Sequence, residues 1–162
     1  MRWFTRGIVC FALLTAVLLA ATGSVSTTAA AAGGDKDKKK EEHPEIGPRG
    51  GPLAEWGDEK YHVEVTVDHG KKTATAYILD GSAKKASPIA AASIKVTLTS
   101  LKPTVQIILK ADPEKGDPKG TSSRFVGMHD KLAEKGKLVG EVSGKVGDLP
   151  YVGKFEQKDK GK

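Results

Sequence analysis

The sequence predicts an all-β domain, a small antiparallel sandwich or barrel of about seven to eight strands with one short helical turn, preceded by a signal peptide. Three observations carry this expectation. Apolar residues alternate with polar ones over short runs, the period of a strand with one buried face. Gly, Pro and Asp punctuate the chain between those runs, as tight turns require. Helix-like spacing occurs in one place only, residues 128–135 (MHDKLAEK), closed by Gly136.

Residues 1–32 have the layout of a cleavable export signal. Arg2 and Arg6 precede an apolar run over residues 7–21, broken only by Thr15, and small residues lead to Ala31 and Ala32. The run is shorter than the roughly 20 residues that a membrane-crossing helix needs, and no later segment is apolar for as long. The expected destination is periplasmic or extracellular, with no membrane span after cleavage. Cys10, the single cysteine, leaves with the signal. The exported product then has no disulfide, thiolate ligand or cysteine nucleophile.

Residues 33–42 form a charged linker and residues 157–162 a polar tail, and the folded β-domain spans 43–156. Residues 47–52 (GPRGGP) read as a loop. Residues 61–68 (YHVEVTVD) give the clearest strand, with Val63, Val65 and Val67 inward, and residues 73–80 (TATAYILD) return as its hairpin partner. Residues 93–99 place Ile94, Val96 and Leu98 on the buried face, and residues 104–110 bring back Val105, Ile107 and Leu109. A loop over 111–120 carries two Asp-Pro pairs. A short strand at 123–126, the helical turn, and a last hairpin of 138–146 with 151–156 complete the order.

The formal charge of +6 includes the two signal arginines, and the two tails hold seven lysines against five acids. The domain itself is only slightly positive, with its charges interspersed. No basic run is interleaved with aromatics, so no nucleic-acid partner is expected.

Chemistry-bearing residues are sparse. His62 and Glu64 lie two apart on one strand, hence on one face, opposite the valines. Imidazole beside carboxylate suits zinc or copper, and His43 in the entry segment is a third candidate ligand. Asp112, Glu114 and Asp117 lack the spacing of a helix-loop-helix calcium site and are interleaved with lysines. Ser122, Ser123, His129 and Asp130 lie close in sequence without the Gly-x-Ser-x-Gly elbow that exposes a nucleophile. No enzyme is expected. Trp56, beside the Gly57–Lys60 turn, is a candidate partner-binding aromatic, the alternative being a core plug.

Four segments carry a resemblance: Gly47-Pro48-Arg49-Gly50-Gly51, Leu53-Ala54-Glu55-Trp56-Gly57, Tyr61-His62-Val63-Glu64 and Leu79-Asp80-Gly81. The chain resembles uncharacterised exported bacterial β-domain proteins with a Gly-Pro-His-Gly-Gly, Tyr-His-x-Glu and Leu-Asp-Gly pattern. These are similar to segments accompanying periplasmic adaptor subunits of heavy-metal efflux systems. The resemblance implies metal handling through His62 and Glu64. Arg49 stands where those relatives carry histidine, and a guanidinium cannot be a ligand. The expected function is an exported, non-enzymatic β-domain binding a protein or cell-envelope component. A periplasmic metal-binding or metal-efflux accessory domain is the alternative.

Overall fold

The computed structural model describes residues 44–157, all within one unit spanning Lys40–Lys162. The expected signal peptide and charged linker, His43, and residues 158–162 of the tail lie outside the described residues. Among those described, the chain forms eight strands: β1 (Leu53–Trp56), β2 (Tyr61–Asp68), β3 (Thr73–Asp80), β4 (Ser93–Leu98), β5 (Val105–Ala111), β6 (Arg124–Met128), β7 (Val139–Val146) and β8 (Leu149–Glu156). A single 3-10 turn, Asp130–Ala133, stands where the helical spacing occurs. Met128, expected in that turn, ends β6 instead.

The strands make one antiparallel sheet in the order β1-β2-β3-β6-β5-β4-β7-β8, curled into a nearly closed barrel. Two halves are recognisable within it. One is the meander β1-β2-β3 with β6 beside it; the other is β5-β4-β7-β8. They share a two-pair ladder between β5 and β6, Lys110 with Val126 and Ala111 with Phe125.

Alternation decides what fills the interior. Val63 and Val65 of β2, Ile94, Val96 and Leu98 of β4, and Val105, Ile107 and Leu109 of β5 are all buried, as their period predicts. Ala74, Ala76 and Ile78 of β3 join them, with Phe125 and Phe155 as the large plugs. The last hairpin turns on Gly147 and Asp148 alone. Gly147, at φ +61°, takes the first position of that turn, which β8 requires in order to begin at Leu149.

β1 is the strand that the sequence does not announce. It holds four residues, too few for alternation to register, and it closes the barrel against β8 without a ladder. Trp56 makes that closure. Its indole is fully buried, stacks on Tyr151 of β8 at 5.8 Å and 14°, and donates Nε1–H to the Val142 carbonyl of β7 at 3.1 Å. Room for the ring exists because β7 and β8 carry glycine beneath it. A Cβ on Gly144 would come within 2.8 Å of the indole, and one on Gly153 within 3.0 Å of the indole and 2.4 Å of the Glu55 carbonyl. Tyr61 meets Tyr151 edge-on at 6.0 Å and seals the seam from the next strand.

Trp56→Ala removes the largest buried side chain at a site with no slack to collapse. It is expected to cost about 3–5 kcal/mol of unfolding free energy, read from urea denaturation. Gly144→Val should destabilise by overpacking the same contact. A loss below about 1 kcal/mol for Trp56→Ala would contradict the closure described.

Candidate functional site

The metal-candidate residues sit on the outer side of β2, as alternation requires, but that side is not open to solvent. His62 is 1% exposed and Glu64 is fully buried. The cause is the 44–52 loop, which folds back over β2. Leu53 N–H donates to the Glu45 carbonyl and Gly47 N–H to the Gly51 carbonyl, so the loop closes on itself. Its turn is then pressed onto Glu64: a Cβ on Gly47 would lie 2.4 Å from the Glu64 carboxyl carbon. Only glycine allows that approach.

The buried carboxylate is hydrogen-bonded through one oxygen and faces a cation with the other. Oε1 accepts from Arg49 N–H at 2.7 Å and from Gly51 N–H at 3.0 Å. Oε2 faces the Arg49 guanidinium at 3.8 Å. The same guanidinium lies 3.7 Å above the Tyr77 ring, a cation–π contact, and 3.6 Å from Glu114. Glu114 is shared with Arg124, which also binds Asp112 at 2.9 Å. Arg49 thus joins the entry loop, β2, β3 and the 111–120 loop. Two backbone donors and an arginine offset the buried charge, while Oε2 accepts no hydrogen bond among the described residues.

His62 lies opposite Leu79 of β3, and its Nδ1 is 3.2 Å from the Asp80 carbonyl. Among the described residues, no three His, Cys, Asp or Glu side chains gather to hold a metal ion. Beside Glu64 the Arg49 guanidinium supplies positive charge where a metal ion would otherwise bring it. Trp56, the candidate partner-binding aromatic, is wholly internal, so the structure corrects that candidacy and gives the core plug that was its alternative.

The polar residues near the 3-10 turn have separate partners. Ser123 Oγ donates to Asp117 at 3.0 Å, and Ser122 Oγ donates to the Arg124 carbonyl. His129 caps the 3-10 turn, its Nδ1 accepting from Lys131 N–H at 3.1 Å, and Asp130 pairs with Lys72 at 2.9 Å. His69 Nδ1 is 2.7 Å from the Leu132 carbonyl, so the ring donates through that nitrogen.

Two surface features were not visible in the sequence. The outer face of β5-β4-β7-β8 is bare, with no outward residue of its strands buried. Ile108, Lys95, Ser143 and Val152 are successive cross-strand neighbours there, and Ile108 and Val152 are 57% and 59% exposed. Lys110, Lys145 and Lys154 flank that row, with Glu141 and Glu156 the acids of the same face. The second feature is a cleft at one end of the barrel, of about 420 Å³. Compared with family models, curated proteins and solved structures, the chain finds no match.

Two aspartates tie loops to the barrel. Ser82 Oγ at 2.6 Å, opposed by burial and assisted by Lys84 and Lys85 N–H, holds Asp80 below the usual 3.8. Burial raises Asp117, but Ser123 and Glu114 N–H, the Ser123 hydroxyl and the Arg124 charge outweigh it, so its value is also lowered. Both carboxylates therefore stabilise the fold above pH 3.8, and that contribution is lost as pH falls through their folded values. Urea unfolding at pH 7 and pH 3 should show wild type losing more stability on acidification than Asp117→Asn. Equal losses would contradict the assignment. At neutral pH, Glu64→Ala should cost roughly 3 kcal/mol, because it removes the acceptor of the Arg49 and Gly51 N–H groups and one of the two carboxylates facing the arginine.

Proposed function

We propose that this chain is an exported, non-enzymatic binding domain that engages a protein or cell-envelope partner through the bare outer face of β4, β5, β7 and β8. One observation carries the reading, the unequal treatment of the two halves. On the first, the outward residues His62, Glu64 and Leu79 are buried. The 44–52 loop lies against Glu64, and Ala86 bridges to Leu79. On the second, the chain supplies no roof, and exposed Ile108 and Val152 sit among four lysines. Those lysines have no carboxylate within ion-pair distance among the described residues. Apolar centres with a charged surround are the composition of interaction surfaces, and surplus cations favour an acidic partner. Export rests on the tripartite 1–32 segment.

A photo-crosslinking residue at Val152, compared with one at Glu55 on β1, tests the reading. In the envelope fraction, the Val152 probe should give a discrete adduct that the Glu55 probe does not. Lys95→Glu with Lys145→Glu should weaken its formation about tenfold and leave the thermal midpoint unchanged. No adduct at Val152, or the same adducts at both positions, would sink the proposal.

A further inference from the structure

We propose that the cleft at one end of the barrel is a binding site for a single-chain anionic amphiphile, a medium-chain alkyl carboxylate being the simplest member of the class. The cleft lies where three separate segments meet: the β2–β3 turn at His69, the β4–β5 turn around Leu101, and the connection from the 3-10 turn to β7. Its floor is aliphatic. Leu98 and Leu132 are 1% exposed, and Val67, Leu101 and Leu138 are half-buried around them. Barrel mouths with apolar linings and a few placed polar groups are common ligand sites. A volume of about 420 Å³ is at the small end of that range, which suits one alkyl chain rather than two.

The floor is held in place. His129 N–H donates to the Lys72 carbonyl, Asp130 pairs with Lys72, and His69 binds the Leu132 carbonyl. The 3-10 turn bearing Leu132 is therefore anchored to the β2–β3 hairpin at three points, and the cleft is preformed. Preformed apolar space needs little ordering when a ligand enters.

The rim selects charge. Glu134 is paired with Lys131 at 2.8 Å and Glu156 with Lys137 at 2.8 Å, so the carboxylates near the mouth are already neutralised. Lys102 and Lys135 are exposed and have no carboxylate partner among the described residues. An aliphatic floor below two unpaired ammonium groups is complementary to a chain that ends in an anion. A second hollow of about 360 Å³ adjoins the first and shares His69, Lys135 and Leu138 with it, giving the head group a wet side. This end is separate from the bare lysine face, so the inference stands independently of the proposed function.

Isothermal titration of the full chain with dodecanoate, with dodecanol as the uncharged probe, tests it. Dodecanoate should bind with a Kd of about 50 μM or tighter, and dodecanol at least tenfold more weakly. Lys102→Glu with Lys135→Glu alters only exposed positions and should weaken dodecanoate at least tenfold. Leu101→Asp should abolish binding, with a thermal melt confirming that the variant folds. No binding up to about 1 mM would overturn the inference. Equal affinity for dodecanol, or affinity unchanged in the double-lysine variant, would overturn it too.

Discussion

The architecture depends on closing β1 against β8 without hydrogen-bonded pairing. An eight-stranded sheet that stopped short of closure would leave two unpaired edges, each a template for another chain. Here one indole spans the gap. Trp56 comes from β1, lies on Tyr151 of β8 and bonds to the backbone of β7, so one residue of the first strand fixes the position of the last two. The glycines beneath it are the other half of the device, because the ring enters only where β7 and β8 have no side chain. With the seam shut, the interior is filled by side chains. What remains for interaction is the outside of the wall and its ends.

The outside is treated in two ways, and Glu64 explains why. A buried carboxylate is tolerated only when its charge is offset by donors or a cation. Its partners come from the entry loop, so satisfying the charge also lays the loop over β2. Arg49 extends the arrangement by stacking on Tyr77 and reaching Glu114, which draws the 111–120 loop to the same side. That half of the barrel uses its polar outward residues to bind its own chain. The other half has no buried outward charge, attracts no loop, and keeps its lysines and aliphatics in water.

Much of the fold was legible because period-two alternation is a direct record of which residues face inward. It identified the buried sets of β4 and β5 residue by residue, and on β2 it found Val63 and Val65, while Val67 is half-buried. β1 was missed because four residues are too short for a period, and because Leu53-Ala54-Glu55-Trp56 has no strongly β-forming run. Alternation also fails at the next level. It placed His62 and Glu64 on the outer side correctly, yet it carries no information about whether a distant loop covers that side. Gly47-Pro48-Arg49-Gly50-Gly51 reads as a breaker, while its glycines serve close approach to a carboxylate. The cleft was invisible for a related reason. Its walls come from stretches far apart in the chain, around His69, Leu101 and Lys135, and none has a local signature.

The short ladder between β5 and β6 has a mechanical consequence. The halves are joined there by two residue pairs, whereas β2–β3 and β7–β8 are each joined by eight. On the opposite side they are held by ring contacts instead of a ladder. A pull that drew the halves apart would meet few hydrogen bonds in series on either side, and each hairpin would travel as a unit. The barrel is built like a case with a narrow hinge and one clasp, and its line of parting runs between the face roofed by its own chain and the face left bare.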